Sequence, residues 1–200
     1  MTQGATKGVT EGVIARLPLA SWRLFVATCA VLGVGFAATE LDLWWEGLSQ
    51  QASVLTALVY FALAGAGLLR PATEWAWLRG AMATLLVLVG GAYLALMSGD
   101  LTEPWSLLEH VVVPILVVAD YLVVGRTRGR WWWPATWTAL PLAYLVYYVY
   151  GDVLLYDFLD PYAPDYQATV AGFLAATVAI GFLLLVLARA RQSTYHRDIS

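Results

Sequence analysis

Within Leu107 to Gly125, LLEHVVVPILVVADYLVVG, three groups able to exchange protons interrupt an apolar run: Glu109, His110 and Asp120. Pro114 follows His110 by four residues. A proline has no N–H and its ring crowds the carbonyl four residues back, so in a helix the C=O of His110 loses its usual donor. An imidazole titrates near neutrality and is suited to taking a proton from a hydroxyl. A second apolar run opens LSQQASVLTALVY, where Ser49, Ser53, Thr56 and Tyr60 are spaced i, i+4, i+7, i+11 and share one helix face. Gln50 and Gln51 flank that stripe. Ser49 and His110 each begin their run on the same side, so the two can lie at one depth. That is the minimum for nucleophilic catalysis, in which His110 takes the serine proton and the alkoxide attacks an ester carbonyl.

A third member is not supplied by spacing. Glu109 projects about 100° away from His110 around a helix, and Asp120 lies roughly 15 Å along its axis. The plainer account of the stripe is hydroxyls bonded to their own helix carbonyls. Asp120 likewise has two readings. Ionisable groups in an apolar span mark function by default, but a carboxyl can also lock helices together. The partners expected for it are Tyr144, Tyr147 and Tyr148, just beyond Pro141, a proline expected to kink its helix as Pro114 kinks its own. One histidine and no carboxylate pair at ligand spacing in the apolar runs imply no metal. His196 lies in a basic tail. No glycine-rich nucleotide loop and no nucleic-acid patch occurs, so no cofactor and no nucleic-acid partner is implied. Cys29, the single cysteine, reads as a small buried hydrophobe.

The elements that must carry these groups are membrane helices. Of 200 residues 60% are hydrophobic and 12% charged, about half the charge of an ordinary soluble domain. Mean hydropathy is +0.69. Six stretches can each cross ~30 Å of hydrocarbon as a helix: Trp22–Thr39, Leu48–Leu69, Leu78–Met97, Leu107–Gly125, Trp132–Gly151 and Gln167–Ala188. Backbone polar groups must be satisfied internally in lipid, so the expected fold is all-α, a polytopic bundle of six transmembrane helices. It occupies residues 21–190, between an N-terminal tail, 1–20, and a C-terminal tail, 191–200. The first tail has no apolar core followed by a cleavage site, so no cleaved signal peptide is expected. A short interfacial piece is expected around Leu17 to Leu19.

With six spans and a cytoplasmic N-terminus, all 11 Lys and Arg fall on one side. The opposite loops hold Glu40, Asp42, Glu46, Asp100, Glu103, Asp152, Asp157, Asp160 and Asp165. The positive-inside rule therefore gives both termini cytoplasmic, in a plasma membrane. Arg23, at the start of the first span, is expected to snorkel. Trp44, Trp45, Trp105, Trp75, Trp77 and Trp131 to Trp133 read as interfacial belts. Gly33, Gly35, Gly65, Gly67, Gly90 and Gly91 read as points of close helix approach. Ten Arg to one Lys, with abundant Ala, Gly and Trp, fits a GC-rich bacterial genome.

The run EHVVVPILVVADYLV, the basic loop RTRGR, then TALPLAYLVYYVYGD and YDFLDP resemble a bacterial family of six-pass membrane proteins. That family shows an H-x-x-x-P-x(5)-D span, a P-L-x-Y span and a Y-P-Y-x-F-L-D type outer loop. It is similar, more distantly, to the eukaryotic androgen-induced-protein family of threonine/histidine hydrolases acting on fatty acid esters of hydroxy fatty acids. The likeness covers roughly Leu48 to Ala188. His110, Pro114, Asp120, Pro141, Tyr144, Tyr156, Phe158, Leu159 and Asp160 fall at family positions. Where the bacterial family opens its second span with F-T-x-Q-S-N, this chain has Leu48-Ser49-Gln50-Gln51-Ala52-Ser53, so Ser49 stands at the threonine and Gln51 at the glutamine. The outer loop has Tyr156-Asp157-Phe158 where the family has its proline-tyrosine pattern.

The resemblance implies a hydrolase of lipophilic esters with Ser49 as nucleophile and His110 as base. Gln51, Ser53, Thr56, Tyr60, Asp120, Tyr144 and Tyr148 would line or support the pocket. Two other readings stay open: a non-catalytic membrane protein that binds lipid or scaffolds a partner, and a small transporter using His110 and Asp120 as a relay.

Overall fold

The computed structural model describes residues 14, 16–69, 75–97, 99–124 and 129–197. Among them there is no strand. The helices are α1 (Leu17–Glu40), α2 (Leu48–Leu69), α3 (Ala76–Leu96), α4 (Pro104–Val123), α5 (Trp133–Trp137), α6 (Ala139–Tyr150) and α7 (Tyr166–Arg197), with 3-10 turns at Trp44–Glu46 and Asp157–Leu159. Five of them, α1 to α4 and the Tyr166–Arg191 part of α7, are long and apolar enough to cross a membrane. The bundle has an acidic end, carrying the Glu40–Glu46, Asp100–Glu103 and Asp152–Asp165 connections, and a basic end.

The expected fifth span, Trp132–Gly151, is not one helix. α5 and α6 are separated by a turn at Thr138. Pro141 has no N–H to offer the carbonyl of Trp137, and the ladder restarts when Leu142 N–H donates to Thr138 O at 3.0 Å. The 12 residues of α6 extend only about 18 Å. Together the two pieces still reach from end to end. At the basic end Trp77 Nε1 donates to Thr136 Oγ1 at 2.8 Å, and at the acidic end Tyr144 O–H donates to the carbonyl of Glu46 at 2.9 Å. The Trp137 ring anchors the basic end. A Cβ at Gly80 would lie 2.4 Å from it and one at Gly181 2.9 Å, so only glycines fit on both sides.

α3 is the central helix and touches α2, α4, α5, α6 and α7, while α1 packs on α2 and α4. The main core runs through Val26, Leu63, Met82, Leu86, Val113 and Val117, all fully buried. A smaller aromatic cluster closes the acidic end, with Tyr148, Tyr156, Phe158 and Phe173 stacked in series at centroid spacings of 6.0, 5.3 and 5.6 Å.

α4 leaves α-helical register twice, with π turns at Leu108–Val112 and Asp120–Val124. These single-turn irregularities occur often at functional positions, and here they carry Glu109, His110, Asp120 and Tyr121. The first answers Pro114: Val113 N–H reaches back five residues to Leu108 O, so the ladder is already out of phase when the proline arrives. The carbonyl of His110 points at α3, and a Cβ at Gly90 would sit 2.6 Å from its oxygen.

Several expectations are corrected here. Leu17 to Leu19 form the first turn of α1, with proline in it, rather than a separate interfacial piece. Of the six glycines read as close approaches, Gly33 and Gly90 are such; among the described residues, Gly35, Gly65 and Gly91 would offer a Cβ no neighbouring atom within 4 Å, and Gly67 meets only the Arg23 guanidinium at 3.5 Å. Arg23 does not snorkel, for it is 2% exposed. Tail residues 1–13 and the side chain of His196 lie outside the described residues.

Candidate functional site

At the acidic end, α2, α3, α4, α6 and the loop before α7 enclose a cavity of about 230 Å³. Its wall is mainly aliphatic and aromatic, with Leu48, Leu88, Val89, Trp105, Leu145 and Phe173 among its lining. The polar groups on that wall are Ser49, Gln50, Tyr93, His110, Tyr144 and Tyr156.

His110 is fixed on three sides. Its Nδ1 lies 3.0 Å from the carbonyl of Ser106; a carbonyl only accepts, so Nδ1 carries the hydrogen and Nε2 of the neutral ring keeps its lone pair. The ring stacks on Tyr93 at 3.7 Å and 12° and meets the edge of Trp105 at 6.0 Å. The turn that presents Ser106 is itself held. The carbonyl of Asp100 accepts from Tyr93 O–H at 2.6 Å and from Ser106 Oγ at 2.6 Å. The Asp100 carboxylate accepts from Thr102 N–H at 2.9 Å and Thr102 Oγ1 at 2.7 Å, which holds its pKa below the usual carboxylate value.

Ser49 faces the same cavity and is 7% exposed. No hydrogen bond joins it to His110 among the described residues. It sits instead beside Glu109, whose Oε2 accepts from Gln50 Nε2 at 2.7 Å. Glu109 is fully buried, and its Cγ would lie 3.0 Å from a Cβ at Gly33, so α1 leaves room for it. Across the cavity Tyr156 accepts from Leu48 N–H at 3.0 Å, satisfying the start of α2. Burial pushes the Tyr156 phenol up, opposed by that N–H.

The remaining expected site residues divide. Tyr144 lines the cavity, but its hydroxyl is taken by Glu46 O. Tyr148 is bound to the backbone of Tyr156, accepting from its N–H at 3.0 Å and donating to its carbonyl at 3.2 Å. Gln51 points elsewhere and donates to Trp45 O at 3.0 Å. Its neighbour Gln50 takes the site position. A helical signal for it exists, since Gln50, Ser53, Ala57 and Tyr60 fall at i, i+3, i+7, i+10 and all four are buried. Ser53, Thr56 and Tyr60 lie below the cavity in the core. Thr56 Oγ1 donates to Ala52 O at 2.7 Å, while Ser53 Oγ has no hydrogen-bond partner among the described residues.

Asp120 belongs to a second polar centre toward the basic end, and its expected tyrosine partners are replaced by arginines. Arg79 Nε lies 2.5 Å from Asp120 Oδ2, and Arg79 Nη2 donates to the Asp120 carbonyl. Arg23 Nε lies 3.6 Å from Oδ1, with its Nη1 donating to Leu63 O at 3.3 Å. Exposures are 0% for Arg79 and Asp120 and 2% for Arg23. Tyr60 faces the same three groups. Two guanidiniums share one carboxylate, so the formal charges of the centre do not cancel one for one. In the sequence both arginines look like topology markers at span ends; only the pairing of three distant helices reveals their role. Among the described residues no group of three His, Cys, Asp or Glu could hold a metal ion.

Comparison of the chain with protein-family models, with curated proteins and with solved structures finds no match.

Proposed function

We propose that this chain is a six-pass membrane protein that takes a lipophilic ester into the acidic-end cavity and hydrolyses it. The observation that carries this reading is the shared cavity wall of Ser49 and His110, with the His110 proton parked on Nδ1 and Nε2 left basic. Ser49 gives its proton to Nε2 and attacks the ester carbonyl; the imidazolium protonates the departing alcohol, and water then releases the acyl-serine. The aliphatic wall suits an acyl chain. The end-to-end reach of α5 and α6 supports counting them as a sixth, broken crossing, and the segregation of charge supports both termini in the cytoplasm of a bacterial cell. The test is turnover of a fluorogenic medium-chain acyl ester by the purified protein in detergent. Turnover lost in Ser49→Ala and in His110→Ala, with helicity unchanged, supports the dyad; a wild type inert across chain lengths overturns it.

A second reading has its own observation. Ser49 sits beside Glu109 rather than hydrogen-bonded to His110, which favours a cavity that binds a lipid without cleaving it. In that case saturable lipid binding persists in both variants.

A further inference from the structure

We propose that a groove between α3 and α7 is an acyl-chain subsite through which a lipid reaches the acidic-end cavity. This rests on the lipophilic-ligand reading above, but not on hydrolysis. The groove is a laterally open space of about 410 Å³. It adjoins the acidic-end cavity, for Leu88, Ala92 and Phe173 line both. Its remaining lining, including Gly91, Ala95 and Gly172, is apolar but for one threonine. A saturated chain needs no hydrogen bond there and loses none.

The glycines are informative. Small residues on membrane helices ordinarily allow a neighbouring helix to approach. At Gly91 and Gly172, however, an added Cβ would meet no atom of another described element within 4 Å. These two keep space open rather than close it, one from each side of the groove. Gly90, one residue away, is the contrast, for its Cβ would strike the His110 carbonyl. The polar groups of the cavity would thus receive the ester or head of a lipid while its chain lies along the groove.

The experiment uses the full chain in vesicles of a neutral phosphatidylcholine, with a phosphatidylcholine whose acyl chain ends in a diazirine as the photo-probe. Labelled residues are mapped by mass spectrometry, with and without excess unlabelled lipid. The expected result is saturable label on α3 and α7 groove residues. In Gly91→Phe and, independently, Gly172→Leu, that label falls about tenfold, as expected if a side chain occupies the volume of several methylenes. Circular dichroism verifies folding of each variant, and the two variants guard against the failure of one. Label spread equally over Leu24 and Leu32 of α1, without competition, means bulk lipid only and overturns the proposal. So does disulfide capture of a second copy through Ala95→Cys, which would make the groove a contact between chains. Groove labelling without ester turnover sinks the hydrolase reading alone; turnover with an unlabelled groove sinks the subsite alone.

Discussion

The carbonyl oxygen of His110 faces Gly90 so closely that a Cβ there would lie 2.6 Å away. Both partners of this contact are backbone, so neither can rotate aside. Gly90→Ala should therefore destabilise the protein by about 1–3 kcal/mol, the usual cost of overpacking. Gly91→Ala, which meets open space, should stay within about 0.5 kcal/mol of the parent. Denaturant unfolding in detergent compares the two; equal losses would mean that helix propensity rather than the His110 contact decides.

The charged centre predicts an order of damage. Asp120→Asn strands two buried guanidiniums and should cost about 3–5 kcal/mol. Arg79→Gln removes the 2.5 Å contact and should cost less, because Arg23 still faces the carboxylate. Arg23→Gln, whose nearest approach is 3.6 Å, should cost least. Unfolding midpoints of the three variants rank them. Parity of Arg23 and Arg79 would show that distance to Asp120 is not what matters.

Gln50 is held from two sides. A Cβ at Gly47 would overlap its Oε1 at 1.9 Å, while its Nε2 is committed to Glu109. Gly47→Ala should push Gln50 off Glu109 and reproduce Gln50→Ala, each costing about 1–3 kcal/mol for a buried acceptor left without its donor. A double variant no worse than either single one would establish that they act through the same bond.

The turn before α4 should loosen in acid. The two Thr102 donors hold the Asp100 carboxyl below the ordinary carboxylate value, so the unfolded chain takes up the proton first. The contribution is present above the ordinary carboxylate value and is lost as pH falls through the lower folded value. Hydrogen exchange over residues 99–106 should rise on that acid limb, and Asp100→Asn should show no such transition.

Much of the fold was legible because lipid leaves few choices. Runs of about twenty apolar residues bounded by charge predict helices closely, and α2 coincides with its predicted run, Leu48–Leu69. The predicted fifth run is interrupted because Pro141 withholds a donor from Trp137, a local effect visible in the sequence as a proline but not as a break. Pro114 marks the His110 carbonyl in the sequence as one without its ordinary i+4 donor; that Gly90 is its neighbour depends on how α3 and α4 pack. Ser49 and His110 were placed at one depth by counting residues from span ends. The pairing of Asp120 was missed because Arg23 and Arg79 also satisfy the charge rule for topology, and that simpler explanation hid a tertiary one.

The Arg23–Asp120–Arg79 centre also bears on the order of assembly. A ribosome completes α1 and α3 before α4, so two cations reach the bilayer ahead of the carboxylate that neutralises one of them. Arg79 lies in the first turn of α3 and Arg23 in the second turn of α1, so each weighs against insertion by less than the about 2.5–3.5 kcal/mol of an arginine at a helix centre. The nascent chain therefore passes through a stage when its first three helices are poorly settled, and the arrival of Asp120 draws them together. In a chain cut short after α3, the packing of α1 and α3 on α2 would remain but both arginines would lack their carboxylate, and such fragments should be more open to membrane proteases.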